Sequence, residues 1–147
     1  ACTPEMFVRY AQIAALMPVM QFSASPWRVL PEADFQKVKA ALALREKCLP
    51  EIFKAVECAK VTGEPIARSM EFVFPGQGME RVMDQFMVGE DLLVAPVWKQ
   101  GEVARSVRLP EGQWRCVGLG ETEGDVLNGG RDVILGENEG LVVLKRV

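Results

Sequence analysis

Between Thr3 and Leu16, apolar residues recur on nearly every side of a helical wheel. Met6, Phe7, Val8, Ala11, Ile13, Ala14 and Leu16 leave only a thin polar face. The spacing predicts a helix that is largely buried. Thr3-Pro4-Glu5 supplies its start: a capping hydroxyl, a proline at the first helical position and an acid in the first turn. Met17-Pro18 ends it. Val19 to Phe22 then reads as a short apolar strand, with Pro18 tolerated at its edge. Helix followed almost at once by strand is the αβ step of an α/β barrel.

Ser23-Ala24-Ser25-Pro26-Trp27 reads as a loop, and a helix is predicted from about Glu32. Phe35, Val38 and Leu42 mark its inner face. Leu49-Pro50 predicts a break or kink, followed by a second helical piece with Ile52, Phe53, Val56 and Ala59 inward. Gly63 suits a left-handed helix end, and Pro65 prevents continuation. From Ile66 the period changes. Ile66, Met70, Phe72 and Phe74 alternate with shorter or polar residues, an extended segment ending at Pro75-Gly76. Beyond it the chain reads as short strands at 86–88, 92–97, 103–109, 113–117, 132–135 and 141–145. Turns at 89–91, 110–112, 129–130 and 137–140 separate them. Short strands at this spacing predict an antiparallel sandwich or sheet. The fold class expected is thus α/β plus all-β, with one unit over residues 1–75 and a β-sandwich over 76–147.

Composition narrows the function. At 147 residues, 49% hydrophobic and 25% charged, the chain has the profile of an ordinary globular protein. Its formal net charge of −3 comes from interspersed acids and bases, so no basic surface argues for nucleic acid. Apolar runs such as LLVAPVW (92–98) fall far short of the ~20 residues of a membrane span. The start at Ala1-Cys2-Thr3 is not a signal peptide and reads as internal to a longer protein. There is no histidine, and the four cysteines form no CxxC pair. A metal site is not expected, nor any cofactor, nor Ser-His-Asp or Cys-His catalysis. Cys48 and Cys58 lie too far apart along a helix for a disulfide (~1.5 Å per residue). Unpaired thiols mildly favour a reducing, cytoplasmic compartment.

Four segments occur in one order: MPVMQFSASPW (17–27), LREKCLPEIFKAVECAKVTGEPIARSM (44–70), FMVGEDLLVAPVW (86–98) and VRLPEGQW (107–114). Together they resemble the C-terminal third of glycoside hydrolase family 31, the retaining α-glycosidases built on a (β/α)8 barrel. The resemblance runs from about Thr3 to Trp114. It implies the last part of a TIM barrel followed by a β-sandwich. It also implies that the two catalytic aspartates lie upstream, so that this chain contributes no catalytic residue. In the family pattern the last barrel strand reads Met-Pro-x-x-Arg-x-His. Gln21 stands here where Arg is usual, and Ser23 where His is usual. That departure is similar to the family's α-galactosidase-like subgroup, the one containing the myogenesis-regulating glycosidase.

The resemblance implies Ser23, Trp27 and Gln21 as substrate-binding residues. Each has a plainer reading beside it. Trp27 could stack on a sugar's apolar face or plug the gap between loop and helix; Ser23 could contact the sugar or cap its loop. Gln21 suits the barrel interior or a position behind the sugar. Arg68, in GEPIARSM, is expected to pair with an acid or backbone carbonyls, and Trp114 to sit in the sandwich core. The paired carboxylates Glu32/Asp34, Glu90/Asp91 and Glu121/Glu123 lack the apolar setting that an acid–nucleophile pair needs. The GLGE (118–121) and GENEG (136–140) stretches open no helix and are not phosphate loops. The expected partners are a carbohydrate and the remaining N-terminal part of the same enzyme, or a second copy of the chain covering the strand edge at Val19–Phe22. The competing reading is a stand-alone carbohydrate-binding or structural β module.

Overall fold

A computed structural model describes residues 2–118, 123–136 and 141–147. The order is α1 (Pro4–Ala15), α2 (Pro26–Val29), α3 (Glu32–Thr62), β1 (Ala67–Ser69), α4 (Met70–Val73), β2 (Phe86–Val88), β3 (Leu92–Pro96), β4 (Arg105–Leu109), β5 (Gln113–Cys116), β6 (Val126–Asn128), β7 (Arg131–Leu135) and β8 (Leu141–Arg146). Six strands form one sheet in the order β1-β2-β3-β8-β5-β6, and β4 pairs with β7 in a separate ribbon. Every pairing is antiparallel.

The large sheet lies between two apolar layers. On one face Val88, Leu92, Val94, Leu141 and Val143 pack against Ala15, Leu16, Ala41, Leu44, Cys48, Ile52 and Ala55 of the helical side. On the other, Met87, Leu93, Ala95, Val142 and Leu144 meet Val107 and Leu109 of the ribbon, with Met70, Phe74 and Trp114. This explains why β3 is a continuous apolar run instead of an alternating one: all five of its residues are buried, on alternate faces. Trp114 is fully buried, donates its indole N–H to the Pro110 carbonyl at 2.9 Å, and meets Phe74 edge-on. It is a core residue, as its sequence context predicts.

The helical side departs from the sequence reading in four places. Val19–Phe22 is not a strand, because no ladder partner for it exists among the described residues. α3 passes through Pro50 without a break. Pro50 itself is exposed, while Cys48 and Ile52 beside it are clamped onto the sheet, so packing holds the helix across the missing bond. Phe53, expected inward, is 60% exposed; the buried stripe runs Ala41, Leu44, Cys48, Ile52, Ala55 instead. α1 is only half covered: Met6 and Tyr10 are 51% and 53% exposed.

Other elements follow the pattern. Thr3 caps α1 by accepting from the Met6 N–H, with Pro4 at its first turn. Gly63 ends α3 at φ 76° and returns its N–H to the Ala59 carbonyl at 2.9 Å. One segment does not: the stretch expected to be extended from Ile66 to Pro75-Gly76 is extended only over β1, and Met70–Val73 coil into the short helix α4 because the Ser69 hydroxyl caps it by accepting from the Phe72 N–H at 3.3 Å. β6 carries only Val126 and Leu127 as apolar residues at the sheet edge and has no sequence signal of its own. The predicted turn at 137–140 lies outside the described residues.

Candidate functional site

Gln21, Ser23 and Trp27 all lie on the connection from α1 to α3, at one end of the helical layer. Gln21 and Ser23 are exposed. Trp27 sits on the first turn of α2 instead of in a loop, because Pro26 at the first helical position starts that turn. The buried residue there is Pro26; Trp27 is 68% exposed. No hydrogen bond joins any two of the three among the described residues. All three are presented to solvent by one short connection.

That connection is held by its surroundings instead of by a sheet. The Tyr10 hydroxyl donates to the Gln21 carbonyl at 3.1 Å. Phe22 stacks on Phe7 of α1, ring centroids 5.9 Å apart and nearly parallel. From α3, the Arg45 guanidinium donates to the carbonyls of Ala15 (2.7 Å), Met17 (2.6 Å) and Pro18 (3.2 Å). These residues escape a motif-based reading, because their roles depend on reach across the fold. The one local signal is Pro18, which lacks the N–H that would otherwise serve the end of α1.

The carboxylate pairs have structural partners. Asp34 meets Lys37 at 2.8 Å, Glu32 accepts from Gln36, Asp91 meets Lys54 at 2.6 Å, and Glu90 lies 3.7 Å from Arg68. The hydrogen bond to Asp91 holds the Lys54 ammonium above its ordinary range. Glu123 meets Lys47 at 2.6 Å; Glu121, with most of GLGE and of GENEG, lies outside the described residues. Arg68 is buried, donating to the Pro65 carbonyl at 2.8 Å and pairing with Glu64 at 3.1 Å, over the Phe72 ring. Asp84 pairs at 2.6 Å with the buried Arg105, which also donates to the Pro96 carbonyl. These are fold-holding contacts. Among the described residues, no group of three or more His, Cys, Asp or Glu side chains could hold a metal ion.

The thiols are unpaired. Cys48, buried between α3 and the sheet, is pushed up from 9.0 to about 11 by burial first and by Glu51 second, against Lys47 and Lys145. Burial also raises Cys116, with Asp125 adding to it. Neither is poised as a nucleophile. A cleft of about 390 Å³ opens between α1 and α3, with Glu5, Arg9, Gln12, Asp34 and Lys37 among its walls. None of Gln21, Ser23 or Trp27 lines it.

Residues 63–134 match the glycosyl hydrolase family 31 C-terminal domain. Among relatives, the mouse (Mus musculus) myogenesis-regulating glycosidase is 38% identical over 112 residues, covering 76% of this chain and 16% of that protein. An α-glucosidase of Saccharolobus solfataricus is 30% identical over 132 residues, covering 85% of this chain and 18% of its own length. Among solved structures, a family 31 α-xylosidase from a soil metagenome, crystallised with xylose, superposes with a TM-score of 0.83 at 28% identity. The match covers 97% of this chain and 25% of that one. The chain thus spans less than a fifth of those two relatives. Segment order, the matched domain and the shared fold agree: the chain belongs to glycosyl hydrolase family 31, with the family's C-terminal domain over residues 63–134.

Proposed function

We propose that this chain is the C-terminal portion of a retaining α-glycosidase that hydrolyses O-glycosidic bonds of α-galactosides or α-glucosides, with the α-galactoside preferred. Residues 1–75 are then the end of the catalytic barrel and residues 76–147 the sandwich, with β1 bonded across that division into the sheet. The observation that carries the reading is the state of the α1–α2 connection. Val19–Phe22 has no ladder partner among the described residues, and α1 beside it exposes Met6 and Tyr10 while Val19 is 82% exposed. A helix and strand-like segment left open on one side suit a layer completed by preceding barrel elements. In a closed barrel the ends of strands face the active site. Gln21 and Ser23, two apart, would then stand on one side of the last strand, with Trp27 after it.

Ser23 supports the preference between sugars. Galactose differs from glucose in its axial 4-hydroxyl, so the pocket must differ in shape and donors on that side of the ring. A small hydroxyl where the family pattern has an imidazole changes both. The partners are the N-terminal remainder of the same polypeptide and a carbohydrate. The test is turnover of p-nitrophenyl α-galactoside and α-glucoside by the longer enzyme and by the 147-residue chain alone. The longer enzyme is expected to prefer the galactoside and the chain alone to be silent. Turnover by the chain above a contaminant control, or a longer enzyme inert on both, would overturn the reading.

A further inference from the structure

α1 ends with backbone groups that its own helix cannot satisfy, since the last carbonyls of any helix have no partner within it. The N–H groups of Leu16 and Met17 turn back to the carbonyls of Ile13 and Ala14, at 3.3 and 3.1 Å. The next residue in line is Pro18, which has no N–H to offer Ala15. Arg45 supplies the missing donors from α3. One guanidinium nitrogen serves the carbonyls of Ala15 and Met17, and the other serves Pro18. No ion pair engages Arg45 among the described residues, so its donors go to this backbone. Its positive charge also lies at the C-terminal end of α1, where the helix dipole favours a cation.

The other end of the connection is fixed separately, by the Tyr10 hydroxyl on the Gln21 carbonyl and by Phe7 against Phe22. A stretch without ladder bonds is therefore pinned at two points, and the first hangs on one side chain. We propose that Arg45 is a positioning residue for the 17–23 connection: by holding three carbonyls in one planar fork, it sets where Gln21 and Ser23 stand relative to a bound sugar. The consequence for sugar choice rests on the glycosidase reading, whereas the holding of the connection does not. A lysine offers a point charge in place of a fork and cannot reproduce three carbonyl contacts in the same geometry.

Two measurements test this. In the isotope-labelled chain, backbone NMR order parameters at Met17–Gln21 should be about 0.85 in the wild type and fall below about 0.6 in Arg45→Met. Arg45→Lys, which keeps the charge and the stem, should lie between. In the longer enzyme, the galactoside-to-glucoside ratio of kcat/KM should drop on the order of tenfold in Arg45→Met, through misplacement of groups that face the sugar. Ile52→Val removes one methylene from the same buried helix face and serves as the stability control. It should lower Tm and leave the ratio unchanged. Wild-type order parameters in both Arg45 variants would overturn the proposal. So would an equal loss of ratio in Ile52→Val, since Arg45 would then act through general stability. A wild-type enzyme inert on both sugars would overturn the glycosidase reading alone, and the order parameters would still decide the role of Arg45.

Discussion

Ser23 carries the argument at the scale of single residues. Its side chain is exposed in this chain, two positions beyond Gln21 and on a connection whose backbone is anchored on either side. On the proposed reading, an imidazole placed there would take up room beside the sugar and offer different hydrogen bonds. A site that loses a matched hydrogen bond leaves a buried polar group unpaired, which costs about 1–3 kcal/mol. Ser23→His in the longer enzyme should therefore lower kcat/KM on its preferred sugar by that amount. Unchanged kcat/KM on every α-glycoside would make Ser23 a loop residue and remove the basis for the galactoside preference. Cys48 gives a second expectation. Its folded thiol is raised from 9.0 to about 11, so the native state keeps a proton that the unfolded state gives up first. The stability this contributes is complete below about pH 9 and is lost as pH rises toward 11, on the order of 2 kcal/mol. Urea titrations at pH 8 and pH 11 should show a smaller drop in Cys48→Ala than in the wild type. Equal drops would place the alkaline sensitivity elsewhere.

At the scale of elements, strands were legible and their edges were not. β2, β3, β7 and β8 combine apolar or β-branched runs with flanking turn residues, and all lie within two residues of their expected ranges. β6 has too few apolar residues to announce itself at the edge of the sheet. Val19–Phe22 shows the converse: its composition suits a strand, but a strand exists only where a neighbour accepts its hydrogen bonds. Pro50 misled for a related reason. Local chemistry predicts a break, whereas burial of Cys48, Ile52 and Ala55 on the sheet holds α3 as one 31-residue helix. Restoring the N–H at this exposed position should help. Pro50→Ala is expected to stabilise the chain by about 1–3 kcal/mol in chemical denaturation, an interior proline being the poorest helix former. Lower stability in that variant would mean that the helix around Pro50 is shaped in a way an alanine does not suit.

For the whole molecule, the family and its C-terminal domain were legible in the motif order, whereas the candidate site is nominated by the resemblance alone. The motif order nominates Gln21, Ser23 and Trp27, because each falls inside a recognisable segment. Arg45 also lies inside a recognisable segment, but its role, like those of Tyr10 and Phe7, depends on α3 and α1 meeting across the fold and could not be read from the motif. The open flank of the helical layer has the same origin. Met6 and Val19 read as inward by their apolar pattern, and are 51% and 82% exposed because the described residues leave that flank open. On our reading, that flank is where the rest of a catalytic barrel joins, bringing the two aspartates of a double-displacement reaction. Such a reaction inverts the anomeric carbon twice, once onto the enzyme and once onto water. Proton NMR of the first sugar released by the longer enzyme from an α-glycoside, recorded before mutarotation, tests this directly. The account predicts an α anomer. A β anomer at the earliest time points would contradict it.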